Sequence, residues 1–178
     1  MLDFKRPIVC LLVNGDIVPL LPRCPTLDST RSPWRGIYLE EHNLPAIRIE
    51  DHEHGTFVLQ LQMNERLEMN WHSFGRTGHQ ITGAGNFIFL TPGTRDRLHF
   101  CELSKRIVLS IDPLLIKEAS DQLDLPGVSE FINLWTFQDE QLRHLILEMR
   151  RETSTGWELG SLYGDLLSNA LVIALIKK

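Results

Sequence analysis

The sequence predicts a mainly β fold, an antiparallel barrel or sandwich, carrying about three helices at its C-terminal end. Two observations predict it. Between His52 and Pro113, short strand-like segments are punctuated by glycine and proline, and candidate strands start about every eight to twelve residues, as in a sandwich or barrel. From Asp112-Pro113 to Lys178 the apolar spacing changes to a helical rhythm. A chain of 178 residues suits one domain, and such a domain buries roughly 70% of the surface exposed when unfolded.

Residues 1–33 read as an arm, because Pro7, Pro19, Pro22, Pro25 and Pro33 remove backbone donors and restrict their neighbours; one short strand is expected at 8–13. Strands are then expected at 34–39, 45–50, 56–63, 66–72, 79–82, 86–91, 95–100 and 105–111. Side chains alternate across a strand, so Phe57, Leu59, Leu61 and Met63 share one face, expected to be the core face. Thr56, Gln60 and Gln62 share the other, expected to be wet. Leu67, Met69 and Trp71 alternate in the same way with Glu68, Asn70 and His72. Gly75, Gly78, Gly83 and Gly85 mark turns.

Asp112 is placed to cap a helix whose first residue is Pro113, where proline sacrifices no intrahelical bond; that helix runs through Leu123 and ends at Pro126-Gly127. The pairs Thr136 and Asp139, then Thr155 and Glu158, have capping-box spacing and place helices at 137–152 and 156–177. Leu142, Leu145, Ile146 and Met149 form one apolar stripe of the first. The last helix is apolar on nearly every side, which asks for cover from its own domain, a second subunit or a following segment.

Composition narrows the function classes. With 43% hydrophobic and 23% charged residues, disorder is not indicated. A net charge of -5 lacks the basic footprint of tight DNA binding by this segment. Cys10, Cys24 and Cys101 are odd in number and show no CxxC spacing, which points to a reducing cytoplasm. The apolar runs at 8–13 and 170–176 are far short of the roughly 20 residues that span a bilayer, so no membrane partner is expected. Phosphate loops, GxSxG elbows and HExxH motifs are absent.

Taken in order, Trp34-Arg35-Gly36, His52-Glu53-His54, Trp71 with Gly75-Arg76, Gly85 leading to Pro92-Gly93, and Ile111-Asp112-Pro113 resemble a known family. It is the effector-binding N-terminal domain of AraC-type transcription regulators, a branch of the cupin superfamily, and the likeness covers residues 34–176. The resemblance implies an arm at 1–33, a cupin-like jelly-roll at 34–111 that takes up a small effector such as a sugar or another metabolite, and a helical dimerisation region at 112–178. DNA is bound in that family by a separate helix-turn-helix domain, which this chain does not include.

Candidate chemistry centres on His52-x-His54, two imidazoles on one strand face that can share a metal. No acid follows within the next six residues, and parity places both histidines on the polar face with Gln60 and Gln62 unless a bulge at Gly55 reverses it. The reading therefore assigns no metal, no cofactor and no enzymatic activity. Trp34, Arg48, His52, His54, Trp71 and His99 are the expected effector contacts near the mouth of the barrel. Leu142, Leu145, Ile146 and Met149, or the outer face of the last helix, are the expected homodimer seam. The alternatives are a metal-dependent cupin enzyme, an isomerase or dioxygenase using His52, His54 and His99, and a stand-alone carbohydrate-binding cupin.

Overall fold

Among the described residues, two six-stranded antiparallel sheets face each other, and three helices cover the outside of one of them. This is the jelly-roll with a helical tail that the sequence predicts. The computed structural model describes residues 10–13, 16–19, 21, 23–123 and 131–178. The first sheet takes the order β2-β1-β5-β10-β7-β8, from β2 (Asp16–Pro19), β1 (Cys10–Val13), β5 (Ile47–His54), β10 (Arg95–Phe100), β7 (Leu67–Ser73) and β8 (Arg76–Thr82). The second takes the order β12-β9-β6-β11-β4-β3, from β12 (Leu134–Gln138), β9 (Asn86–Leu90), β6 (Phe57–Gln62), β11 (Ser104–Ile111), β4 (Ile37–Leu44) and β3 (Leu27–Asp28).

The second sheet is buried on both faces. Ile37, Leu39, Phe57, Leu59, Leu61, Ile107, Leu109 and Ile111 form one core with residues of α1 (Pro113–Leu123), α2 (Glu140–Thr155) and α3 (Gly160–Ile176). Val58, Ile88, Leu90 and Val108, on the opposite face, pack with Ile49, Leu67, Met69, Leu98 and Phe100 of the first sheet. Where the edge strand β12 meets the first sheet, its Trp135 stacks on Trp71 of β7, the strand next to the edge, with ring centroids 4.3 Å apart and planes 3° off parallel. The Gln80 side-chain amide donates to the Trp135 carbonyl at 2.6 Å, joining β8 to β12. An aromatic pair of this kind contributes about 0.5–1.5 kcal/mol beyond its buried area.

The helix boundaries depart from the expected ones for identifiable reasons. Asp112 does cap α1, its carboxylate accepting from the Leu114 amide at 2.9 Å. The expected helix at 137–152 starts at Glu140 instead. Asp139 is its N-cap, accepting from the Leu142 amide at 2.9 Å, and residues 134–138 form a strand not foreseen from the sequence. The helix expected from Thr155 begins at Gly160, because Gly156 closes α2 in the left-handed conformation with φ 81°. Trp34 lies before β4 rather than in a strand, and its ring meets Trp157 edge-on at 6.4 Å. Residues 8 and 9 of the expected first strand and Pro126-Gly127 lie outside the described residues.

The helical face carries tighter ties than a solvated surface. The Arg150 guanidinium donates to Glu41 of β4 at 2.6 Å, and the Tyr163 hydroxyl of α3 donates to Glu148 of α2 at 2.7 Å. Gly164 lets α3 settle on Trp34, since a Cβ there would lie 2.8 Å from the indole. Gly164→Val is therefore expected to lower unfolding stability by about 1–3 kcal/mol through overpacking, read from urea midpoints; an unchanged midpoint would show that α3 does not rest on this ring.

Candidate functional site

Which face of β6 is the barrel interior decides where a site can form. The side chains of Phe57, Leu59 and Leu61 point to the helices, so Val58, Gln60 and Gln62 point between the sheets. Phe57, Leu59 and Leu61 are core residues as expected, but the core they enter lies beneath the helices rather than between the sheets. Gln60 and Gln62 are buried, at 7% and 2% exposure, and belong to the lumen rather than to a wet surface.

A bulge then places the histidines. In the pairing of β10 with β5, Asp96 faces His52 and Leu98 faces Ile49, so β5 spends three steps where β10 spends two. Glu50 and Asp51 are both exposed at this irregularity, while Ile49, His52 and His54 are all buried. His52 and His54 do share the polar face with Gln60, as parity indicated, and that face is the interior. The Pro92-Gly93 turn fixes the neighbouring backbone, with the Gly93 amide donating to the His54 carbonyl at 2.8 Å and the His54 amide donating to the Thr94 carbonyl at 3.0 Å. Asp96 follows two residues later and enters the lumen beside both imidazoles.

The three side chains converge on one point. Nε2 of His54 lies 2.8 Å from Oδ1 of Asp96, Nε2 of His52 lies 3.2 Å from the same oxygen, and the two Nε2 atoms are 3.2 Å apart. His52 Nδ1 donates to the Glu50 carbonyl at 2.7 Å, which leaves Nε2 as the atom turned into the cluster. Burial lowers the His52 pKa, but the hydrogen bond and charge of Asp96 and the Glu50 carbonyl outweigh it and leave it above 6.5. Burial likewise raises the Asp96 pKa, and the hydrogen bonds and charges of the two histidines bring it below 3.8. Two imidazoles and one carboxylate at this spacing also fit a divalent transition metal. Bonds of about 2.0–2.2 Å put adjacent ligand atoms about 2.8–3.4 Å apart, and such an ion would displace the shared proton.

Across the lumen, Arg106 of β11 is 1% exposed. Its Nε donates to Ser104 at 2.7 Å, its guanidinium carbon sits 3.5 Å from the centre of the Phe100 ring, and its Nη2 has no hydrogen-bond partner. Burial pulls its pKa down to about 9, with no acid among the described residues to offset it, and at neutral pH it remains a cation. Arg106, His54, Gln60 and Leu21 border an enclosed cavity of about 10 Å3, closed with apolar side chains that include Ile49 and Val58. Leu21, from the N-terminal arm, is buried to 5% exposure in this core.

The other expected contacts lie elsewhere. Arg48 and His99 fall on the outer face of the first sheet, because the β5 bulge turns Arg48 away from His52 and alternation turns His99 away from Asp96 and Leu98. With Trp71, His72, His79 and Arg97 they border an open depression of about 500 Å3. His99 therefore cannot join His52 and His54 around one ion, and among the described residues Asp96 takes that place. Trp34 is buried beneath α3, away from the lumen. Leu142, Ile146 and Met149 are fully buried in the chain's own core, with Leu145 packed against it, so that stripe has no face to offer a partner.

No family model and no curated protein sequence matches the chain. Among solved structures it is similar to the AraC-like transcriptional activator CuxR, with a TM-score of 0.57 at 13% identity over 80% of this chain. The chain spans about half of that regulator, 51% of its length. A putative mannose-6-phosphate isomerase from Ralstonia eutropha superposes at a TM-score of 0.40, with 12% identity over 52% of this chain and 87% of that one. Oxalate decarboxylase from Bacillus subtilis superposes at 0.37, with 15% identity over 60% of this chain and 24% of that one. The likeness to the regulator shows a shared fold. No helix among the described residues is long and apolar enough to cross a membrane.

The cluster makes stability depend on pH in a defined way. His52, with a raised folded pKa, contributes fully below pH 6.5 and less as pH rises through its higher folded value. Asp96, with a lowered one, contributes above pH 3.8 and less as pH falls through its lower folded value. Urea midpoints are expected to decline as pH rises past 6.5, and Asp96→Asn is expected to flatten that decline. A wild-type profile already flat there would contradict the buried pairing.

Proposed function

We propose that this chain is the effector-binding and dimerisation region of an AraC-like transcription regulator, acting as a binding module rather than an enzyme. It works in the cytoplasm, and DNA is contacted by a separate region of the full regulator. The observation that carries this reading is the polar lining of the lumen. A core built only for stability would be apolar, whereas here Gln60, Gln62, His52, His54, Asp96 and Arg106 all converge between the sheets. Convergent polar groups within apolar walls are the make-up of a small-molecule site.

The outer face of α3 supplies the dimer seam. Leu159, Leu162 and Leu166 are exposed at 56%, 74% and 59%, and with Asn169 and Ile173 they recur in alternating steps of three and four residues. That is the spacing of a two-helix seam, and a polar residue such as Asn169 within it fixes register. A second copy of the chain is the occupant that fits, because α3 then packs on its own mate. An effector acts by favouring one of two dimer arrangements, which requires unequal affinity for the two.

A second reading draws on the His52, His54 and Asp96 cluster, whose spacing fits a metal and would make the chain a metal-dependent cupin. Elemental analysis of purified protein separates the two. Metal retained at one ion per chain, and lost in His52→Ala, would favour the second.

Light scattering is expected to show a dimer, and Leu162→Glu with Leu166→Glu is expected to raise its dissociation constant by about 100-fold or more, leaving a folded monomer. A wild-type monomer at high concentration would remove the dimer claim. A panel of small metabolites is expected to contain at least one that raises the melting temperature, and uniformly null shifts would count against the receptor reading.

A further inference from the structure

We propose that the lumen is built for a compact carboxylate whose anionic end pairs with Arg106 and whose hydrocarbon part replaces the Leu21 side chain. The proposal rests on the receptor reading above and names the ligand class of that site.

Three observations meet here. First, Arg106 is a fully buried cation with no carboxylate within ion-pair distance among the described residues, and its Nη2 lacks any partner. Removing a charge from water is costly unless it is paired, and one face over Phe100 returns only a small part of that cost. A guanidinium held this way has its strongest remaining interaction in reserve. Its planar fork matches a carboxylate with two parallel hydrogen bonds. The Ser104 contact occupies Nε and leaves Nη2 free for one of them.

Second, although His42 and Gln62 flank Arg106 on the neighbouring strands, the cavity it borders is otherwise lined by Leu21, Ile49, Val58, Ile88, Leu90 and Leu98, with Gln60 and His54 its other polar groups, so a neutral polyol held there would leave most of its hydroxyls unpaired. A short hydrocarbon tail carries no such penalty. Third, the present cavity of about 10 Å3 is too small for any organic ligand, and Leu21 is the arm residue that closes it. Its isobutyl side chain defines the volume that becomes available when it withdraws. The acid that reproduces that group is isovalerate, and isovaleramide is its uncharged counterpart of the same shape. Exchange of Leu21 for ligand also supplies a readout, since the Leu21 side chain and the ligand cannot fill the same volume.

The experiment measures binding of isovalerate and isovaleramide to the full chain by calorimetry, in wild type, Leu21→Ala, Arg106→Met and Arg106→Lys. Isovalerate is expected to bind wild type at least about tenfold more tightly than the amide, and to bind Leu21→Ala more tightly still. Arg106→Met is expected to lose the acid's advantage, and Arg106→Lys, which keeps the charge without the fork, to fall between. If Arg106→Met does not fold, the acid-to-amide ratio in Leu21→Ala decides the question alone. Equal affinity for acid and amide there, or acid binding unchanged by Arg106→Met, would overturn the carboxylate proposal. If neutral metabolites raise the melting temperature while no carboxylate does, the carboxylate claim falls and the receptor reading stands. If nothing in the panel binds even Leu21→Ala, both fall.

Discussion

The arrangement of this protein follows from one constraint, that β6 and β11 are covered on both faces. One face carries Phe57, Leu59, Leu61, Ile107, Leu109 and Ile111, an unbroken apolar surface that only the helices are positioned to cover. Alternation then obliges the residues in between to enter the space between the sheets, whatever their polarity. Val58 and Val108 pack there readily. Gln60, Gln62 and Arg106 are carried in with them. Helix docking on the outside and a polar lumen inside are therefore two results of one alternating pattern.

The lumen resolves its polar content unevenly. Asp96 pairs with His52 and His54 through contacts of 2.8 and 3.2 Å, a compact arrangement in which opposite charges answer one another. Among the described residues Arg106 has no such answer, and a serine hydroxyl and an aromatic face are what soften its burial. An unpaired cation is the more expensive of the two, and it sits where Leu21 seals the cavity. A lumen closed by an apolar side chain over an unmet charge has a built-in reason to exchange that side chain for an anion.

The strand series, the helical tail and the cap at Asp112 were legible in the sequence, because each depends on local spacing. Which β6 face is interior was not, since alternation separates two faces without saying what covers either. The signal lay in β11, where Ile107, Leu109 and Ile111 oppose Arg106, Val108 and Ser110, so a strand with no exposed face had to place one polar set inside. Asp96 was readable by the same logic, as it shares a face with Leu98 and Phe100. The bulge at Glu50 and Asp51 carries no glycine or proline, which is why Arg48 was expected beside His52. Strand β12 was hidden by a capping-box pattern in which Asp139, taken as the third helical residue, is the cap itself.

The central claim is that Arg106 is enclosed in the lumen as a protected, unpaired cation. Hydrogen exchange at its Nε–H, followed by nitrogen-resolved NMR at neutral pH with exposed Arg76 as internal reference, tests this most directly. The account predicts exchange at Arg106 slower than at Arg76 by orders of magnitude. Equal rates at the two sites would show the guanidinium in water and contradict it.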